Sequence, residues 1–218
     1  MSIVSHKHRL VFFPIAKNCS TSIKHLFYQL ETGQKFKQAR KHYGLAGHVH
    51  HYYPTRNGEK FLNFFDSYDT ITIVRDPIKR FLSTYGERIG HVKVLERAGT
   101  VEKIRSDGYP VQPSLEEFVQ NLEYYCEVSS RVRRHIAPQK NIIGPFFPRI
   151  KKVYEISQIP EFEAFMSERY GKPITLAQDQ TGGPKFTIAD LSQRSLEKMV
   201  DYYKPDYKML SQFYDPPK

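Results

Sequence analysis

Three short stretches hold side chains whose types and spacing suit work on a phosphate-like anion. In AKNCSTS, Lys17 precedes Ser20, Thr21 and Ser22, and an apolar run gives way to an apolar-periodic segment at this point. A strand that turns into a helix there leaves backbone N–H groups pointing out of the helix start, with the macrodipole adding positive charge. Such a start binds phosphate-like groups, and Lys17 adds a full charge. In TIVRDPIKRFLSTY, Arg75 ends a second apolar run, Arg80 follows, and Ser83 lies one turn further on. A guanidinium fork with a hydroxyl suits a second phosphate. Between the two lies GHVHH, with His48, His50 and His51; histidine titrates where a general base is useful. Two phosphate grips on successive strand–helix units suggest a nucleotide phosphorylated at both ends. The plain alternatives are a capped helix with a surface lysine and a polar loop of histidines.

The elements needed to position these residues are legible in the pattern. Residues 9–16 (RLVFFPIA) read as a buried strand, and 21–31 (TSIKHLFYQLE) as a helix with Ser20 as its cap. Residues 34–60 read as a polar loop. Residues 69–75 (DTITIVR) form a second strand, and Pro77 opens a helix over 77–90. The 91–113 stretch reads as a flexible excursion, and Ser114 caps a helix beyond it. A third strand falls at 151–156, and a helix runs from Pro160 to Gly171. Residues 172–186 form a loop containing TGGPK, and two helices split by Pro205 close the chain. Repeated strand–loop–helix order predicts an α/β fold with parallel strands.

The 218 residues are expected to form a single domain, 1–218, with enough length to bury a large core. A net charge of +10 favours an anionic partner without choosing among nucleotide, acidic polymer, nucleic acid and a membrane surface. Cys19 and Cys126 are the two cysteines, too few for a disulfide scaffold, and no CxxC pair points to structural zinc. A Walker loop needs glycines and a lysine directly before Ser/Thr. AKNCSTS has neither, which disfavours an ordinary nucleotide kinase. No basic stripe with stacking aromatics marks a nucleic-acid module, so no nucleic-acid partner is expected. The N-terminal apolar run is too short for a signal peptide or a membrane span. The expected location is cytoplasmic, with peripheral membrane contact allowed; a trimmed Golgi-type catalytic domain is the alternative. A non-enzymatic binder of acidic glycan or nucleic acid is the alternative function that +10 alone would explain.

PIAKNCSTSIKHLF resembles the 5′-phosphosulfate loop of sulfotransferases that use 3′-phosphoadenosine 5′-phosphosulfate (PAPS), and TIVRDPIKRFLSTY resembles their 3′-phosphate motif. The similarity is closest to the carbohydrate group that includes heparan sulfate 2-O- and chondroitin 4-O-sulfotransferases, in the manner of a bacterial member. GHVHHYYP is similar to the Gly-His-Val stretch of the 2-O enzymes, and RRHIAPQ to a His-x-x-Pro-Gln element of the 4-O enzymes. KKVYEISQIPEF and PKFTIADL…YYKPDYKMLSQFY extend the resemblance to about residue 214. Asn18-Cys19 departs from the pair usual in the first loop, while Lys17 and Ser20-Thr21-Ser22 keep it.

The resemblance implies a P-loop-like three-layer α/β fold, a central, mostly parallel sheet flanked by helices. It implies PAPS as sulfuryl donor, PAP as product, no metal, and a hydroxyl of a carbohydrate or glycolipid as acceptor. Lys17 would act on the leaving phosphate. Lys17, Asn18, Cys19, Ser20, Thr21 and Ser22 would hold the 5′ end, and Arg75, Ser83 and Lys185 the 3′ end. His48 would be the base, with His50 and His51 in reserve and otherwise beside the acceptor. Arg133, His135 and Gln139 would meet the acceptor or order the site. Glu155 would buttress it. Oligomeric state is left open.

Overall fold

The structure is a computed structural model and describes residues 2–36, 49–53, 66–177 and 182–218. In chain order its elements begin with β1 (Ile3–Ser5), β2 (Leu10–Phe13), α1 (Ser20–Thr32) and α2 (Val49–Tyr52). β3 (Asp69–Val74) leads into α3 (Pro77–Thr84), which continues as a π-helical segment, Tyr85–His91. The helices α4 (Thr100–Ser106), α5 (Leu115–Gln120), α6 (Leu122–Val128), α7 (Ser130–Ile136) and α8 (Lys140–Ile143) follow. β4 (Lys152–Glu155), α9 (Ile159–Tyr170), α10 (Gln193–Tyr202) and α11 (Lys204–Met209) complete the order. They fall into two compact units: Met1–Val74 with Pro145–Thr181, and Arg75–Gly144 with Gly182–Lys218.

The first unit is an α/β layer. Its described residues form a four-stranded sheet in the order β1-β2-β3-β4. β2 pairs parallel to β3 with Phe12 opposite Ile71, and β3 pairs parallel to β4 with Ile71 opposite Lys152. β2 and nearly all of β3 are buried, which is why LVFF and TITIV read as unbroken apolar or β-branched runs rather than alternating ones. β1 pairs antiparallel on the edge. The sequence pattern shows no strand there, because three residues followed by HKHR carry too little periodicity. α1 buries Ile23 and Phe27, and α9 buries Phe162 and Met166, all within the sheet's core cluster. Each such side chain contributes about 1.5–3 kcal/mol by leaving water. Gly171 ends α9 in the left-handed conformation, φ +64°, as its glycine suggests.

The second unit is helical, around Ile78, Phe81, Leu82, Phe118, Leu122 and Tyr125. α3 starts as its sequence prescribes: Asp76 is the N-cap, accepting from Lys79 N–H at 2.8 Å, and Pro77 occupies the first turn. Ser114 and Glu117 form a capping box at α5. The expectation of a flexible 91–113 excursion is corrected. Val94, Leu95 and Ile104 are buried, Tyr109 stacks on Tyr124, and the hydroxyls of Tyr85 and Tyr125 hold the carbonyls of Pro113 and Pro110. Four apolar anchors spread over a polar stretch are invisible to a periodicity reading.

Candidate functional site

The first motif is a strained turn. Between β2 and α1 the chain places Lys17 at φ +70° and Cys19 at φ +55°, both in the left-handed region and neither a glycine. Non-glycine residues held there cost about 1–3 kcal/mol each, and such strain concentrates at ligand clamps. Asn18 makes the turn hold. Its fully buried amide donates to the Ile73 carbonyl of β3 at 2.9 Å, and its N–H reaches the Ile15 carbonyl at 3.2 Å. Asn18, expected among the cofactor-contacting residues, braces the loop through these two bonds. The N-cap of α1 is Cys19, not Ser20, and makes no side-chain capping bond. Ser20, Thr21 and Ser22 form the first helical turn. The first bond of the helical ladder runs from Ile23 N–H to the Cys19 carbonyl, so their three N–H groups precede that ladder. No acidic residue lies in this turn to oppose an anion. Thr21 and Ser22 are buried; Lys17 and Ser20 are half-buried.

Further along α1, Lys24 is 1% exposed, and its Nζ lies 2.7 Å from Nδ1 of His50 on α2. Burial pushes this lysine down to about 8. The sequence reading missed it, although Lys24 sits beside Ile23 and three residues before Phe27, on the apolar face. His51 belongs to the same short helix. His48, expected as the base, lies outside the described residues.

The second motif stands in the other unit. Arg75 is half-buried at the start of that unit, and Gln139 grips its backbone: Gln139 Nε2 donates to the Arg75 carbonyl at 2.7 Å, and Arg75 N–H donates to Gln139 Oε1 at 3.3 Å. Gln139 is fully buried. Of the two roles expected for it, these bonds supply the ordering of Arg75. Asp206 on α11 accepts from the N–H groups of Gln139 (2.8 Å) and Lys140 (2.7 Å), and burial raises its carboxyl against the pull of those bonds. Arg80, read as part of a phosphate fork, is corrected. It is 0% exposed, and its guanidinium donates to the carbonyls of His135 (2.8 Å), Ile136 (3.3 Å) and Ala137 (2.5 Å). It closes the C-terminus of α7, where helix carbonyls are left over. Ser83 is half-buried on α3.

His135 Nδ1 lies 2.7 Å from the Arg131 carbonyl. A carbonyl only accepts, so Nδ1 carries a proton. Arg131, Arg133 and Arg134 are exposed on α7. Glu155, half-buried, begins a capping box with Gln158.

Lys185 is exposed in a segment that lies on the π-helical turn. Glycines allow the approach: a Cβ on Gly86 would sit 2.1 Å from the Pro184 carbonyl oxygen, and one on Gly183, at φ +99°, 2.7 Å from the Gly86 oxygen. Gly86→Ala gains about 1 kcal/mol of helix propensity, but a backbone oxygen at that distance has to move. The variant is expected to lose roughly 1–3 kcal/mol net and to raise amide exchange across residues 183–187. A variant more stable than wild type in urea would show that the segment does not depend on this contact.

A family model described as the sulfotransferase family matches residues 1–153. The chain belongs to the sulfotransferase family. No curated protein and no solved structure matches. The matched span of this sulfotransferase includes both the Lys17 loop and the Arg75 motif, and the family's chemistry is transfer of a sulfuryl group to an acceptor. Among the described residues no group of three or more His, Cys, Asp and Glu stands together as metal ligands, and no helix is long and apolar enough to cross a membrane.

Proposed function

We propose that this sulfotransferase, acting as one domain over 1–218 in the cytoplasm, uses PAPS and sulfates a hydroxyl of a carbohydrate or glycoconjugate. The observation that carries the donor is the glycine-free turn, strained at Lys17 and Cys19 immediately before a helix start without acidic residues. Backbone N–H groups from Cys19 to Ser22 and the hydroxyls of Ser20, Thr21 and Ser22 hold a 5′-phosphate there. Lys17 stabilises negative charge on the leaving oxygen. Arg75, fixed by Gln139, and Ser83 hold a 3′-phosphate, with Lys185 from the 182–186 segment. PAPS supplies the activated sulfuryl group. His48 takes the acceptor's proton, and Arg133 and His135 face an acidic sugar or glycolipid headgroup.

Calorimetric titration with PAP, without magnesium and beside 5′-AMP and ATP, tests the reading. Micromolar PAP binding well above that of 5′-AMP is expected. Arg75→Ala should weaken it roughly 10- to 100-fold, the worth of charge-assisted hydrogen bonds to a phosphate. PAP binding no tighter than ATP would remove the basis for PAPS.

A further inference from the structure

A lysine and a histidine with their nitrogens at hydrogen-bond distance leave few ways to place the protons. Lys24 Nζ and His50 Nδ1 are 2.7 Å apart, and Lys24 is 1% exposed. A charged ammonium has three donors and no acceptor, so opposite it Nδ1 must carry a lone pair. A neutral imidazole then holds its proton on Nε2. Imidazolium beside ammonium would set two donors against each other. Two unit charges about 4 Å apart repel by roughly 4 kcal/mol near a protein surface, and more when closer and buried.

We propose that Lys24 fixes His50 as the Nε2–H tautomer, which makes His50 a neutral hydrogen-bond donor to an oxygen of the acceptor or of its anionic group, and removes it from the reserve of general bases. Lys24 is a positioning residue in this arrangement. The contrast with His135 is internal to the chain: there a carbonyl fixes a proton on Nδ1. Among the described residues, the elements that carry the pair bring further ionisable groups, His51 beside His50 among them. α1 brings His25, Tyr28 and Glu31, and the 49–53 turn brings Tyr52 and Tyr53. Tyr53 donates to Glu31 at 3.1 Å, and burial raises both. His6 and Tyr170 act on the same Glu31 cluster. Burial alone accounts for the lowering of Lys24. Above that range Lys24 is neutral, Nδ1–H can donate to Nζ, and His50 Nε2 becomes an acceptor. The donor form therefore belongs to neutral and lower pH.

The role at an acceptor rests on the sulfotransferase reading; the tautomer does not, so the two fail separately. The test uses the whole chain with ¹⁵N,¹³C-histidine, with His50 assigned by His50→Gln. At pH 6.5 an ordinary histidine is about half imidazolium. His50 is expected to show the Nε2–H pattern with less than about a tenth imidazolium, and to move towards the Nδ1–H pattern as pH rises through about 8. Lys24→Met, which keeps the buried chain and drops its charge, should bring the imidazolium back to about half at pH 6.5. A wild-type His50 that is Nδ1–H or imidazolium at pH 6.5 overturns the proposal without any variant. So does an unchanged His50 titration in a folded Lys24→Met. PAP binding by wild type, measured on the same sample, reports on the sulfotransferase reading alone.

Discussion

Arg80→Met is expected to lower the unfolding free energy by about 3 kcal/mol or more, while Arg75→Ala costs less than about 1 kcal/mol and is felt in nucleotide affinity instead. The two arginines stand five positions apart in one motif, yet physics separates them. Arg80 is 0% exposed and serves three consecutive carbonyls at the end of α7. Hydrogen bonds to a charged group are worth about 1.5–3 kcal/mol each, and buried acceptors that lose them carry their desolvation cost. Methionine restores much of the volume, and removing a buried charge returns some of its own desolvation energy, so the three bonds do not sum. Tyr203 remains, its hydroxyl donating to the Ile136 carbonyl at 2.7 Å, and replaces none of the lost donors. Arg80→Lys should recover only part of the loss, because a point ammonium cannot span three carbonyls as the planar fork does. Urea denaturation followed by circular dichroism measures this, with the m-value unchanged if the folded state stays compact. An Arg80→Met variant within about 0.5 kcal/mol of wild type would mean that α7 does not depend on this arginine.

Much of this division was hidden in the sequence. The strand–turn–helix units were legible because LVFF and TITIV are unbroken apolar or β-branched runs and because Asp76-Pro77 and Ser114…Glu117 are local capping chemistry, acting over three or four residues. The roles of Arg80 and Gln139 were not legible. Both depend on partners 55 to 64 residues away, and nothing in RDPIKR distinguishes an arginine that reaches solvent from one that caps a distant helix. Lys24 was half legible: its position on the apolar face of α1 marks it as buried, but its pairing with His50 is a matter of tertiary packing. The strain at Lys17 and Cys19 could not be read at all, since residue type alone argues against a left-handed backbone there. Among the described residues that local rule also breaks at Arg9 and Lys93, but at Lys17 and Cys19 it breaks immediately before a helix start, where a ligand would repay it.

Lys17→Ala is expected to lower turnover by about 10²- to 10³-fold, the usual loss when a group aimed at developing charge is removed. The effect should fall mainly on kcat, because the charge on the leaving phosphate oxygen grows towards the transition state. The backbone supplies a control. Lys17 sits at φ +70°, so alanine keeps the strain, whereas glycine relieves it. Lys17→Gly is therefore expected to unfold at higher urea than Lys17→Ala, by about 1 kcal/mol, and to be no more active. An inactive but more stable glycine variant assigns the loss to the ammonium group and not to a collapsed loop. Turnover is followed as PAP released from PAPS in the presence of an accepting hydroxyl, and PAP affinity is measured alongside. If Lys17→Ala keeps turnover within about threefold of wild type, Lys17 does not stabilise the leaving group. The strained turn would then be a binding element alone, with the charge for sulfuryl transfer supplied elsewhere in the chain.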